Sequence, residues 1–303
     1  MTGIAVALLS LTVLLVGCGA DDTGADQRIA VTTNILGDVV GNIIGDTAAV
    51  EVLMKRNADP HSFELSAKDA DGVDGADLIV ANGLGLEEGI QRHVDSAAKR
   101  GVPTLAVGEV VDPISFTEGD TEGAPDPHFW MDPQRMLTAV DAIERAVIEH
   151  VDGIDTEQVT ANAEVYRRQV RALADSMEQQ FGQIPVQRRN LVTNHHVLGY
   201  LADRYDFTVV GAVVPSGTTL ASPSPADLES LAGAIRESNV STIFVDSSQP
   251  DRLARALAAH AGVDGIDVVA LYTESLSEPG TPAGTYLDMM RANTDTIVAG
   301  LQN

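Results

Sequence analysis

Residues 156–181 read TEQVTANAEVYRRQVRALADSMEQQF, a stretch with neither glycine nor proline. Val159, Tyr166, Val170, Leu173, Met177 and Phe181 recur in it at spacings of three, four and seven, one apolar stripe of an α-helix. A single helix of this length spans roughly 40 Å. On either side of it the pattern changes to short apolar runs alternating with helical periodicity, which defines an α/β protein with mainly parallel sheets. Before it, strands are expected at 29–32, 49–53, 78–81 and 104–107, with helices at 37–44, 67–74, 87–99 and 134–149. After it, strands are expected at 191–193, 207–210, 242–245 and 267–271, with helices at 195–205, 225–238, 249–261 and 286–301. Ser224 before Pro225, with Asp227 and Glu229 in the first turn, marks one of these helix starts. The chain therefore divides into two similar β/α lobes, 28–154 and 185–303, joined by a linker helix within 155–184. The stripe on that helix reads as packing against both lobes.

The 303 residues carry 44 acidic against 19 basic side chains, a formal charge of -25. Such a surface repels a phosphate backbone, so nucleic acid is excluded as a partner and cations are the natural ligands. Residues 1–18 contain no charge and run apolar, a length suited to a signal-peptide core and short for a membrane span. The run lacks the basic residues that normally precede such a core, which a start site further upstream would supply. It ends in Leu15-Val16-Gly17-Cys18, which resembles a bacterial lipobox, and Cys18 is the single cysteine of the chain. Lipid on Cys18 would anchor the protein to the cell membrane on its extracytoplasmic side, and residues 19–27, rich in Gly, Asp and Thr, read as a tether.

Three of the seven histidines fall where a strand or loop gives way to a helix. His61 and His128 each close an Asp-Pro-His sequence, Asp59-Pro60-His61 and Asp126-Pro127-His128, and His195 follows the strand at 191–193. Ligands of open α/β sheets bind beyond the carboxyl ends of the strands, where these residues lie. His196 is the rival of His195, about 100° away round a helix, so both are not expected to face one ion. Asp246 ends the strand at 242–245 and is a further oxygen candidate. His93, His150 and His260 have polar neighbours on expected helices and read as surface residues. Trp130 walls the cleft or fills the core. Gly83, Gly85 and Gly89 have the wrong spacing for a dinucleotide fingerprint and read as a turn.

With His61 and His128 in their Asp-Pro-His settings, Phe129-Trp130, residues 195–205 and the segment Thr273-Glu274-Ser275-Leu276 followed by Tyr286-Leu287-Asp288-Met289-Met290, the chain resembles the solute-binding lipoproteins of bacterial zinc and manganese ABC importers. The likeness extends over residues 29–301. It implies one metal held in the cleft between the lobes by His61 and His128 from the first and His195 and Glu274 from the second. Relatives usually carry Asp at the fourth position, so Glu274 is a departure that alters reach and denticity. By the same resemblance Asp246 stands outside the ligand set. Three imidazoles and a carboxylate suit tetrahedral Zn2+, whereas Mn2+, the alternative, prefers more oxygen. Nickel, cobalt and copper would compete in a test tube.

The expected protein is a monomer that captures the ion outside the cytoplasm and delivers it to an ABC permease in the membrane. It is not expected to be an enzyme: a zinc hydrolase needs an open coordination position, and no His-Glu-x-x-His motif or serine elbow occurs. A surface-adhesin role is the other alternative. The His-rich loop of several zinc-specific relatives is absent. Residues 111–127 offer Asp112, Glu118, Asp120, Glu122 and Asp126 instead and read as a solvated loop.

Overall fold

A computed structural model describes residues 27–263 and 265–302. Cys18 and the signal and tether segments, apart from Gln27, lie outside the described residues. The first sheet contains β1 (Arg28–Val31), β2 (Ala49–Val52), β3 (Leu78–Ala81) and β4 (Thr104–Ala106) in the order β2-β1-β3-β4, all parallel. The second contains β5 (Asn190–Thr193), β6 (Thr208–Ala212), β7 (Thr242–Asp246) and β8 (Asp267–Leu271) in the equivalent order β6-β5-β7-β8, again parallel. Helices α1 (Asn34–Ile44), α2 (Ala67–Asp74), α3 (Gln91–Lys99), α4 (Val107–Val110) and α5 (Pro133–His150) belong to the first lobe. After α6 (Thr156–Phe181) come α7 (Gly199–Tyr205), α8 (Pro225–Glu237), α9 (Arg252–His260) and α10 (Tyr286–Gln302). This is the expected pair of α/β lobes, and α6 is the long helix between them.

Alternation along the strands separates three cores. Ile29 and Val31 of β1, Leu191 of β5 and Phe244 of β7 face one continuous core shared by both lobes, into which α6 inserts Tyr166, Val170, Leu173, Met177 and Phe181. Ala30, Ile79 and Ala81 face an outer cluster under α3, and Val192, Ile243 and Val245 its counterpart under α8 and α9. Helix ends follow the local chemistry. Asp155 and Asp132 cap α6 and α5 by accepting from the amides of Gln158 and Gln134, and Ser224 with Asp227 forms a capping box on α8.

The expected helix at 195–205 starts four residues late, at Gly199. The backbone around His195 is engaged elsewhere: Val214 N–H donates to Asn194 O, Thr193 Oγ1 to His195 O, and His196 N–H to Ser216 O. The expected helix at 87–99 likewise starts at Gln91. Glu87 is turned inward, accepting from Thr32 Oγ1 and the amides of Asn82 and Gly83. Burial pushes its carboxyl above the usual range, and these donors oppose that shift. Gly83 and Gly85, with φ of 80° each, form the turn before it.

Candidate metal centre

His61 lies in the loop after β2, His128 in the loop that follows α4, His195 just past β5 and Glu274 just past β8. The folds of both lobes thus deliver side chains to a common point from the carboxyl ends of their sheets. The four are buried, with exposures of 2, 0, 0 and 1% respectively. Their candidate ligand atoms all lie within 4.8 Å of one another, the one such group among the described residues.

Glu274 Oε1 is 3.2 Å from His195 Nε2 and 3.7 Å from His128 Nε2, and Glu274 Oε2 is 3.9 Å from His61 Nε2. The Nε2 atoms of His61 and His128 are 3.4 Å apart. A tetrahedron with bonds of about 2.0–2.2 Å has edges of roughly 3.3–3.6 Å, which these separations bracket. Despite the short distances, both nitrogens of His195, both oxygens of Glu274 and His61 Nδ1 have no hydrogen-bond partner. Orphaned polar atoms at this density are costly in a protein interior, and a cation at their centre would take up the donors that face it.

The electrostatics agree. Burial, reinforced by the neighbouring imidazoles of His128 and His195, lowers the pKa of His61 to about 2, and burial lowers that of His195 to about 4 against the pull of Asp246, Asp59 and Asp126. Burial raises that of Glu274 to about 8, with His128 opposing and the same three carboxylates adding. At neutral pH these three side chains are therefore held uncharged, imidazoles with lone pairs available and a carboxyl carrying a proton that a cation would displace.

Surrounding side chains fix the donors. Asp126 Oδ1 accepts from both the amide of His128 (2.9 Å) and its Nδ1 (2.7 Å), leaving Nε2 as the free nitrogen directed at the cluster. The expectation of a solvated loop fails at this residue, which is only 2% exposed. Asp59 Oδ1 accepts from the amide of His61 in the same two-residue arrangement (3.0 Å). Asp246 Oδ2 accepts from Thr273 Oγ1 (2.6 Å) and the amides of Thr273 (3.0 Å) and Glu274 (3.1 Å), so it holds the Glu274 segment and stays outside the converging set. Trp130 both walls the cleft and fills the core: it packs in the shared core, its ring lies 5.3 Å from that of His128, and Nε1 donates to Thr273 O across the cleft (2.8 Å).

His196 is not in the group. Its ring packs 6.4 Å from Phe116, and it lines a separate cavity with Glu118 and Asp203. His93, His150 and His260 are exposed. The support given by Asp126 and Asp59 escaped the sequence reading, although the repeated Asp-Pro-His was its signal: the first residue of an Asx turn accepts from the amide two positions on.

Two parallel-sheet lobes around a buried set of three imidazoles and a carboxylate have the donor chemistry that one cation would require. Residues 29–300 match the profile of the ZnuA family, described as zinc-uptake complex component A, periplasmic. The chain belongs to that family. It is similar to the manganese-binding lipoprotein MntA of Halalkalibacterium halodurans, 29% identical over 97% of this chain and 96% of the relative. It is also similar to the iron-binding protein YfeA of Yersinia pestis, 29% identical over 99% and 94% of the two chains. The zinc-binding protein TroA of Treponema pallidum is 32% identical over 98% and 96%. Its solved structure superposes with a TM-score of 0.82 at 29% identity, covering 91% of this chain and 99% of that one.

Proposed function

We propose that this protein captures Zn2+ outside the cytoplasm, holds it through His61, His128, His195 and Glu274, and delivers it to an ABC permease. Family membership makes it a divalent-metal-binding component of an ABC importer; zinc, the four ligands and the anchor on Cys18 are the proposal. The observation that carries it is the convergence of buried donor atoms from both lobes to within 4.8 Å of one another, with His195 Nε2 and both Glu274 oxygens lacking a hydrogen-bond partner. Three imidazoles favour zinc over harder ions. Ligands from two lobes allow a bound ion to tie the lobes together, giving a permease a filled state to recognise.

Attachment to the membrane would rest on lipid at Cys18; no described helix is long and apolar enough to cross a membrane. Burial of all four donors to 2% or less argues against a hydrolase, which must admit substrate and water to its metal.

One observation favours a second reading. Both oxygens of Glu274 face imidazoles, so a bidentate carboxylate would offer five donors, a set that Mn2+ accepts more readily than a strict tetrahedron. Elemental analysis of protein purified without chelator, with competitive titration of zinc against manganese, separates the two. Stoichiometric zinc that manganese fails to displace is expected; retained manganese would select the second reading.

A further inference from the structure

The two Asp-Pro-His segments use their carboxylates differently. Asp126 binds both the amide and the ring Nδ1 of His128. Asp59 binds the amide of His61, yet His61 Nδ1 has no partner. The second oxygen of Asp59 goes instead to the other lobe, where Oδ2 accepts from Thr219 Oγ1 (2.6 Å) and Gln249 Nε2 (3.0 Å), besides Ser62 Oγ (3.0 Å) on its own loop.

Thr219 lies in the irregular connection between β6 and α8, and Gln249 in the one between β7 and α9. Both are half-buried, and the neighbouring Leu220 is 54% exposed, so this junction lies at the solvent rim. The Glu274 segment is tied to the first lobe in another way, with backbone groups taking part. Asn57 N–H donates to Leu276 O, Arg56 Nη1 to the carbonyls of Ser277 and Gly284, and Leu276 N–H to Asn34 Oδ1. A cation reaches donors buried to 2% or less only if some segment moves. A contact between side chains, in which water can replace each half-buried partner, opens more readily than one that engages several backbone groups.

We infer that Asp59 is a positioning residue that latches the Thr219 and Gln249 connections of the second lobe over His61, and that this latch sets the rate of cation exchange. The inference rests on the proposed site. Because one carboxylate holds the His61 amide and crosses the cleft, releasing the latch also loosens a donor to the ion.

The test is zinc release from the full chain into excess chelator by stopped flow, comparing the intact protein with T219V, Q249A, the double variant and T219S. Zinc should leave the double variant about tenfold faster, and each single variant at an intermediate rate, from the loss of hydrogen bonds to a carboxylate. T219S keeps the hydroxyl and should release at the rate of the intact protein, while the metal-free double variant still unfolds in one cooperative transition. Release from the double variant within twofold of the intact protein overturns the latch, as does a rise that T219S shares. Failure of the intact protein to take up zinc would instead overturn the assigned site.

Discussion

Replacing Asp126 tests how far His128 depends on the residue that orients it. Its Oδ1 accepts at 2.9 Å from the His128 amide and at 2.7 Å from Nδ1, both between buried residues. Asp126→Asn keeps an oxygen acceptor but turns charge-assisted bonds into neutral ones. The difference is on the order of 1 kcal/mol, or roughly fivefold in affinity. Asp126→Ala removes both bonds and frees the ring to turn, which for partners of this kind costs about 10–100-fold in metal affinity, or roughly 1.4–2.7 kcal/mol. The backbone frame should survive either change, because Asp126 N–H donates to Ile114 O and Tyr200 Oη donates to Asp126 O independently of the carboxylate. The assay is competition for zinc against a chromophoric chelator at pH 7.5, with melting of the metal-free protein as control. An alanine variant that binds within twofold of the intact protein, its fold unchanged, would refute the assigned orientation of His128.

Other consequences can be measured alongside. Since Glu274 carries its proton up to about pH 8 in the metal-free protein while His61 and His195 are already neutral well below pH 6, zinc binding should expel that proton. Affinity should therefore rise about tenfold per pH unit from 6 toward 8 and then level, and titrations at several pH values check the slope. Glu274→Gln keeps the shape without the charge; it should weaken zinc binding by about a hundredfold and flatten that pH dependence. His195→Ala should lose at least about a hundredfold in affinity and His196→Ala less than about twofold, by the same competition assay. A free zinc concentration a hundred times the Kd should stabilise the intact protein by ~2.7 kcal/mol, seen as a higher Tm in calorimetry and absent in His61→Ala.

The architecture was legible because it rests on periodicity. The unbroken stripe from Val159 to Phe181 marks α6, and the short apolar runs around it mark the eight strands that build the two sheets. Helix starts were harder to read where tertiary contacts claim the backbone. Thr193, Val214 and Ser216 take the groups that would open a helix at His195, and Glu87 is drawn inward by Thr32, Asn82 and Gly83. Thr32, Val214 and Ser216 lie too far away in sequence to show in a local pattern.

At the candidate site, the sequence and its resemblance pointed to the four side chains that converge. Their supports were less visible. Asp126 reads as one more acid in an acidic loop until the fold buries it against His128. Asp59 gains Thr219 and Gln249 only when the lobes meet, across separations of 160 and 190 residues. Glu274 is placed by Asp246, which holds its amide and leaves both of its oxygens to face the imidazoles.

The most direct test is anomalous diffraction at the zinc edge from crystals of the zinc-loaded protein. One peak is predicted per chain, at bonding distance from the Nε2 atoms of His61, His128 and His195 and from the Glu274 carboxylate. A peak elsewhere, with these four side chains closed on one another and no density among them, would contradict the assignment.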